Sequence, residues 1–90
     1  MCGKAYVYMI RCENNHLYTG WTNNPEERFK AHKNGTGAKY TKAFKAVEMV
    51  YLEELPNKSE AMKREAVIKK LSKVQKEELF ISKCNILWKN

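Results

Sequence analysis

The stretch "YVYMIRCENNHLYTG", residues 6–20, decides how the rest of the chain folds. Ala5 to Cys12 is rich in aromatic and apolar residues, as a strand should be, and Leu17 to Thr22 reads as the returning strand. Between them, ENNH supplies the turn. The hairpin carries three phenols, Tyr6, Tyr8 and Tyr18, and a glycine, Gly20, inside its second strand. Glycine there gives up side-chain packing and backbone entropy, a loss that a strand serving a hydrophobic core alone would avoid with valine or isoleucine. Tyrosine is a good strand former with an amphipathic ring, so packing alone is the competing explanation for the phenols.

Outward from the hairpin, "TNNPEERFKAHKNG" predicts a helix. Asn24 is its cap, Pro25 its first residue, Glu27 the second arm of a capping box and Gly35 its stop. "GTGAKYTKAFKA" reads as an exposed basic loop. "VEMVYLE", Val47 to Glu53, is a third strand. Asn57 with Glu60 opens a helix expected to reach Leu71, and Ser72 with Gln75 opens another expected to run to the mid-80s. The order is β-β-α-β-α-α. It predicts an α/β (α+β) domain: a small three-stranded, antiparallel-type sheet flanked by helices. Ninety residues make one domain, 1–90, with its core at about 5–82 and a tail at 83–90.

With 43% hydrophobic residues the chain can build a core. Seventeen Lys and Arg against ten Asp and Glu leave a net charge of +7, which points to polyanion partners, a simple solubility charge being the alternative. No apolar run approaches the roughly 20 residues of a membrane span. MCGKAY lacks a signal-peptide apolar region, so a cytoplasmic location is expected. Cys2, Cys12 and Cys84 are odd in number and far apart, and read as reduced thiols rather than disulfides or a zinc site.

Arg28 and His32 lie four residues apart on one helix face. A surface arginine and a histidine complementing the helix dipole would give the same pattern. Phe29 is the expected core anchor. On the following helix Glu65 falls about 40° from Ala61 and about 60° from Ile68, both expected core positions. A carboxylate leaning toward an apolar arc needs a metal ion or a basic side chain beside it. Arg64 and Lys69 fall near the same arc.

Taken in order, these features resemble the GIY-YIG nuclease family, over about Ala5 to Ile81. The first motif stands as Tyr6-Val7-Tyr8 and the second as Tyr18-Thr19-Gly20, with ten residues from Tyr8 to Tyr18. A helix with Arg28 and His32 follows, then Glu65 in "AMKREAVIKKL". The "GAKYT" loop is typical of the small, stand-alone, largely uncharacterised bacterial branch. Tyr6 replaces the family's first glycine and Thr19 its second isoleucine, neither a position expected to do chemistry. No role is carried over to Asn85.

The resemblance implies an endonuclease that hydrolyses DNA phosphodiester bonds with one divalent metal, Mg²⁺ or Mn²⁺, held by Glu65. Repair or recombination is the implied setting, and a protein partner the implied source of specificity. Arg28 would hold the phosphate, and Tyr8, helped by His32 and Tyr18, would take the proton from the attacking water. Gly20 would keep the strand low for a nucleic-acid backbone, and Lys39 and Tyr40 would grip or stack on it, a solvated basic loop being the alternative. The competing functional reading is a nucleic-acid-binding module with little or no activity. An RNA-directed role is a third. An unperturbed phenol has a pKa of about 10, so a tyrosine base needs cations to lower it, and Arg28, the metal and the basic loop are the available sources. A shared site also sets a geometric condition. A two-residue turn at Asn14-Asn15 would put Tyr8 opposite Trp21 and Tyr18 opposite Arg11, on opposite faces. Convergence therefore requires an odd-length loop, such as Asn14-Asn15-His16, or a bulge.

Overall fold

A computed structural model describes residues 4–34, 45–82 and 85–88. Strands β1 (Ala5–Cys12), β2 (Leu17–Thr22) and β3 (Ala46–Leu55) form an antiparallel sheet in the order β2-β1-β3. Helix α1 (Pro25–Lys33) follows β2, and α2 (Lys58–Lys69) and α3 (Lys73–Phe80) follow β3. A short 3₁₀ turn spans Ile86–Trp88. Gly35, Lys39 and Tyr40 lie outside the described residues.

The hairpin loop has an odd length, as convergence requires, but its three residues are Glu13, Asn14 and Asn15. Cys12 N–H donates to His16 O at 3.0 Å, and Asn15 N–H to Cys12 O at 2.8 Å. Asn15 takes the left-handed conformation, φ 66°, that closes such a loop, and asparagine tolerates it better than most residues. The resulting register pairs Tyr8 with Gly20 and Ile10 with Tyr18. Tyr8 and Tyr18 thereby share one face of the sheet. A bulge between β1 and β3 puts Tyr51 opposite Met9 and Met49 opposite Ile10, so Val50 is the extra residue.

β1 is central, and its alternation feeds two cores. Ala5, Val7 and Met9 pack with Tyr51 and with Ala61 and Ile68 of α2, while Trp21, Leu79 and Phe80 close around them. Tyr8 and Ile10 face the other way and pack with Ala46, Tyr18 and Phe29 of α1. The expected core positions Phe29, Ala61 and Ile68 are thus confirmed.

The caps confirm the helix starts and correct their details. Asn24 Oδ1 accepts from Glu27 N–H at 3.2 Å, but the Asn24 N–H goes to Thr22 Oγ1 at 3.0 Å, so only one arm of that box is the expected one. Asn57 caps through Glu60 N–H at 2.9 Å, and the Glu60 carboxylate lies beside Lys63 instead of turning back. Ser72 and Gln75 complete both arms. α2 stops at Lys69 rather than Leu71, because that full box starts a new helix directly after it. α3 ends at Phe80, short of the mid-80s, where Ser82 Oγ donates to Leu79 O at 2.7 Å.

Asn85 explains where the chain goes next. Its side chain is 3% exposed and accepts from Leu52 N–H and Leu87 N–H while donating to Val50 O and Phe80 O. The amide completes the outer edge of β3 and ties α3 to it. Asn85→Ala strands those backbone groups without partners. Unfolding by denaturant should show a loss of about 1–3 kcal/mol, with ligand binding per folded molecule unchanged.

Candidate active site

Tyr8 lies across Gly20. A Cβ on Gly20 would stand 2.6 Å from Tyr8 Oη and 2.9 Å from Cζ, closer than such atoms approach. The ring cannot simply swing aside, because it is 2% exposed and its hydroxyl is 2.8 Å from His32 Nε2. His32, 1% exposed, is the innermost group of the site. Its ring centroid is 5.6 Å from that of Tyr8 and 5.1 Å from that of Tyr18, and the two phenol rings are 6.3 Å apart. The space left by the missing Cβ is therefore filled by this chain's own phenol.

In front of these rings is an open hollow of about 450 Å³. Tyr8, Tyr18 and Gly20 line it from the sheet, Arg28 from α1 and Glu65 from α2. His32 supports Tyr8 from behind rather than lining the hollow. Thr22 fixes the approach of α1: its hydroxyl accepts from Asn24 N–H at 3.0 Å, and the Asn24 side chain caps the helix carrying Arg28 and His32 one turn apart. Arg28 and His32 do different jobs from neighbouring positions. Arg28 stays exposed at the hollow and His32 turns into the sheet.

Glu65 is held from the opposite side of the sheet. Beside it on α2, Arg64 Nε donates to Glu53 Oε1 at 2.9 Å, and Tyr51 Oη donates to the same oxygen at 2.5 Å. This half-buried knot fixes the rotation of α2 against β3, and so where Glu65 emerges. The Glu65 carboxylate, 20% exposed, pairs with Lys69 at 3.2 Å. Both basic residues near the apolar arc are thereby accounted for. Sequence reasoning missed Tyr51, Glu53 and Arg64 as positioning residues, and Arg64 lying near that arc was the signal.

Arg28 pulls the Tyr8 phenol in the expected direction but is outweighed. Burial pushes the Tyr8 phenol far above its ordinary value, the neighbouring Tyr18 and Glu65 add to the rise, and the opposing pull of Arg28 does not offset it. His32 is lowered from its usual 6.5, first by burial and then by the Arg28 charge. Tyr8 is therefore a neutral phenol and His32 a neutral imidazole at neutral pH. The Cys12 thiol, buried and free, is pushed up by burial, as an unreactive reduced cysteine would be.

Among the described residues no cluster of three or more His, Cys, Asp or Glu could enclose a metal ion. Among the described residues Glu65 is the one carboxylate lining the hollow. That donor set fits a hydrated hard cation such as Mg²⁺, which keeps most of its waters and takes one or two carboxylates. It fits no tighter site.

Residues 4–78 match the GIY-YIG catalytic domain. Over 78 residues the chain is 55% identical to a UPF0213 protein of Clostridium perfringens, covering 87% of this chain and 84% of that one. It is 48% identical to a UPF0213 protein of Syntrophus aciditrophicus over 77 residues, covering 84% and 88%. The solution NMR structure of a UPF0213 protein from Bacillus halodurans is 38% identical and superposes with a TM-score of 0.56, covering 90% of this chain and 86% of that one. The chain belongs to the GIY-YIG domain family, within its small UPF0213 group. Nucleases of this family generally use a divalent metal. Among the described residues no helix is long and apolar enough to cross a membrane.

The buried neutral His32 has a consequence for stability. Its folded pKa lies below the unfolded value near 6.5, so below that pH the unfolded chain takes up a proton that the folded chain refuses. Stability should fall as pH drops below 6.5, and His32→Gln should flatten that part of the curve. Chemical denaturation at a series of pH values checks both.

Proposed function

We propose that the chain is an endonuclease hydrolysing phosphodiester bonds of DNA. The observation that carries this reading is the convergence of Tyr8, Tyr18, Arg28 and Glu65 on one hollow, with Tyr8 hydrogen-bonded to His32 behind it. Membership of the GIY-YIG family supports a nucleic-acid substrate.

The guanidinium of Arg28 holds non-bridging phosphate oxygens by forked hydrogen bonds, which lysine does less well. Tyr8 needs no standing phenolate. With a neutral imidazole behind it, Tyr8 Oη accepts a proton from the attacking water as its own proton passes to His32 Nε2. The water oxygen bonds to phosphorus and the bond to the leaving oxygen breaks. Tyr18, ring against His32, keeps bulk water from the imidazole and presents a second hydroxyl to the phosphate. Glu65 would hold the divalent metal, Mg²⁺ or Mn²⁺, whose charge stabilises the phosphate and leaving oxygen when bound. Gly20 admits the Tyr8 ring, and so serves the nucleic acid indirectly.

Cleavage of end-labelled duplex, single-stranded and branched DNA, and of RNA, tests this with Mg²⁺ or Mn²⁺ and with chelator. Metal-dependent cutting is expected. Glu65→Ala should abolish it, and Tyr8→Phe should slow it by about 10²–10⁴-fold, the range for a lost acid–base group. Folded protein that binds DNA and cuts nothing would instead be a binding module.

A further inference from the structure

The two edges of the sheet are finished differently. Asn85 closes the outer edge of β3 with its side-chain amide. The outer edge of β2 faces a groove of about 410 Å³, lined by Leu17, Tyr18 and Thr19 along the strand and by Lys69, Lys73 and Lys76 opposite. The bond from Cys12 N–H to His16 O sets the alternation along β2. It turns the N–H and C=O groups of Leu17, Thr19 and Trp21 away from β1, toward that edge.

We propose that this groove holds the backbone of the same nucleic-acid strand, beside the bond being cut. The proposal rests on the nuclease reading and extends it to residues outside the catalytic hollow. Three observations carry it. The groove adjoins the hollow: Tyr18 lines both, and Lys69 is bonded to Glu65. Its wall is cationic, and no carboxylate among the described residues lines it. One of the lysines stands where folding alone would not put it. Lys73 is the first residue of α3, and the first turn of that helix has no acidic residue. A cation at a helix N-terminus opposes the dipole, whereas an anion there is favoured.

The break between α2 and α3 arranges the wall. Lys69 is the last residue of α2, and the Ser72–Gln75 capping box turns the chain so that Lys73 and Lys76 continue the row from a new helix. A strand leaving the hollow past Tyr18 meets these ammonium groups in succession.

The test is binding of labelled single-stranded and duplex DNA in chelator across a series of KCl concentrations, with cleavage measured in parallel. Lys73→Ala/Lys76→Ala should bind more weakly and reduce the slope of log affinity against log salt by about 1.4–1.8, two contacts at roughly 0.7–0.9 each. Lys4→Ala/Lys63→Ala, which changes net charge equally outside the groove, should leave the slope within about 0.5 of wild type. At saturating DNA the groove variant should cut within about threefold of wild type, since Tyr8, His32, Arg28 and Glu65 are untouched. Lys73→Glu keeps the test independent of folding: it should melt no lower than wild type, because it suits the helix dipole, yet bind worse. An unchanged slope in a protein that binds and cuts overturns the groove alone. So does a dimer indifferent to DNA, which gives the edge to a second copy of β2. Wild-type protein that binds no DNA overturns both readings.

Discussion

The site depends on the fit of one phenol between a glycine and a histidine. Tyr8 crosses Gly20 on the neighbouring strand and meets His32 Nε2 at 2.8 Å. Three demands converge there: a register that sets Tyr8 opposite residue 20, a residue there without a side chain, and a helix whose last turn delivers an imidazole. The three-residue loop closed by Asn15 meets the first demand. A two-residue turn would put the phenols on opposite faces, and no later packing could bring them back.

The rest of the fold brings two further groups to that point from opposite sides of the sheet. Thr22 and Asn24 lock the turn into α1, so Arg28 stands over the hollow while Phe29 and His32 pack behind it. The Tyr51–Glu53–Arg64 knot does the same for α2 and Glu65. These are buried or half-buried polar groups with their partners in place. They supply direction more than net stability. Burial has an electrostatic consequence too. It keeps Tyr8 protonated and His32 neutral, which makes a proton relay better matched to this site than a free phenolate.

Much of this was legible in the sequence, for physical reasons. Strand alternation and capping residues act locally, so the element order and the starts of all three helices could be read directly. The odd hairpin loop, or a bulge in its place, followed from strand parity once the resemblance put Tyr8 and Tyr18 in one site, although the choice of Glu13–Asn15 depended on which residue takes the positive φ. Helix ends were less legible: α2 stops at Lys69 because the Ser72 box takes over, and α3 stops at Phe80 because Ser82 and Asn85 divert the chain. What could not be read was tertiary. Arg28 and His32 share a helix face by spacing, yet Arg28 is exposed while His32 is buried against Tyr8 and Tyr18. Lys69, Lys73 and Lys76 have the spacing of one continuous helix face and instead come from two helices. The resemblance made Gly20 a low surface for a nucleic-acid backbone, whereas the group that packs over it in the structure is Tyr8.

The most direct measurement is an NMR pH titration of the His32 imidazole in wild type and in Gly20→Ala, without nucleic acid. If the missing Cβ makes room for Tyr8, the alanine displaces the phenol and opens His32 to solvent. Its pKa should then rise from below 6.5 toward that ordinary value. An unchanged His32 titration in a folded Gly20→Ala protein would contradict the account and return Gly20 to the role of a bare surface for the substrate.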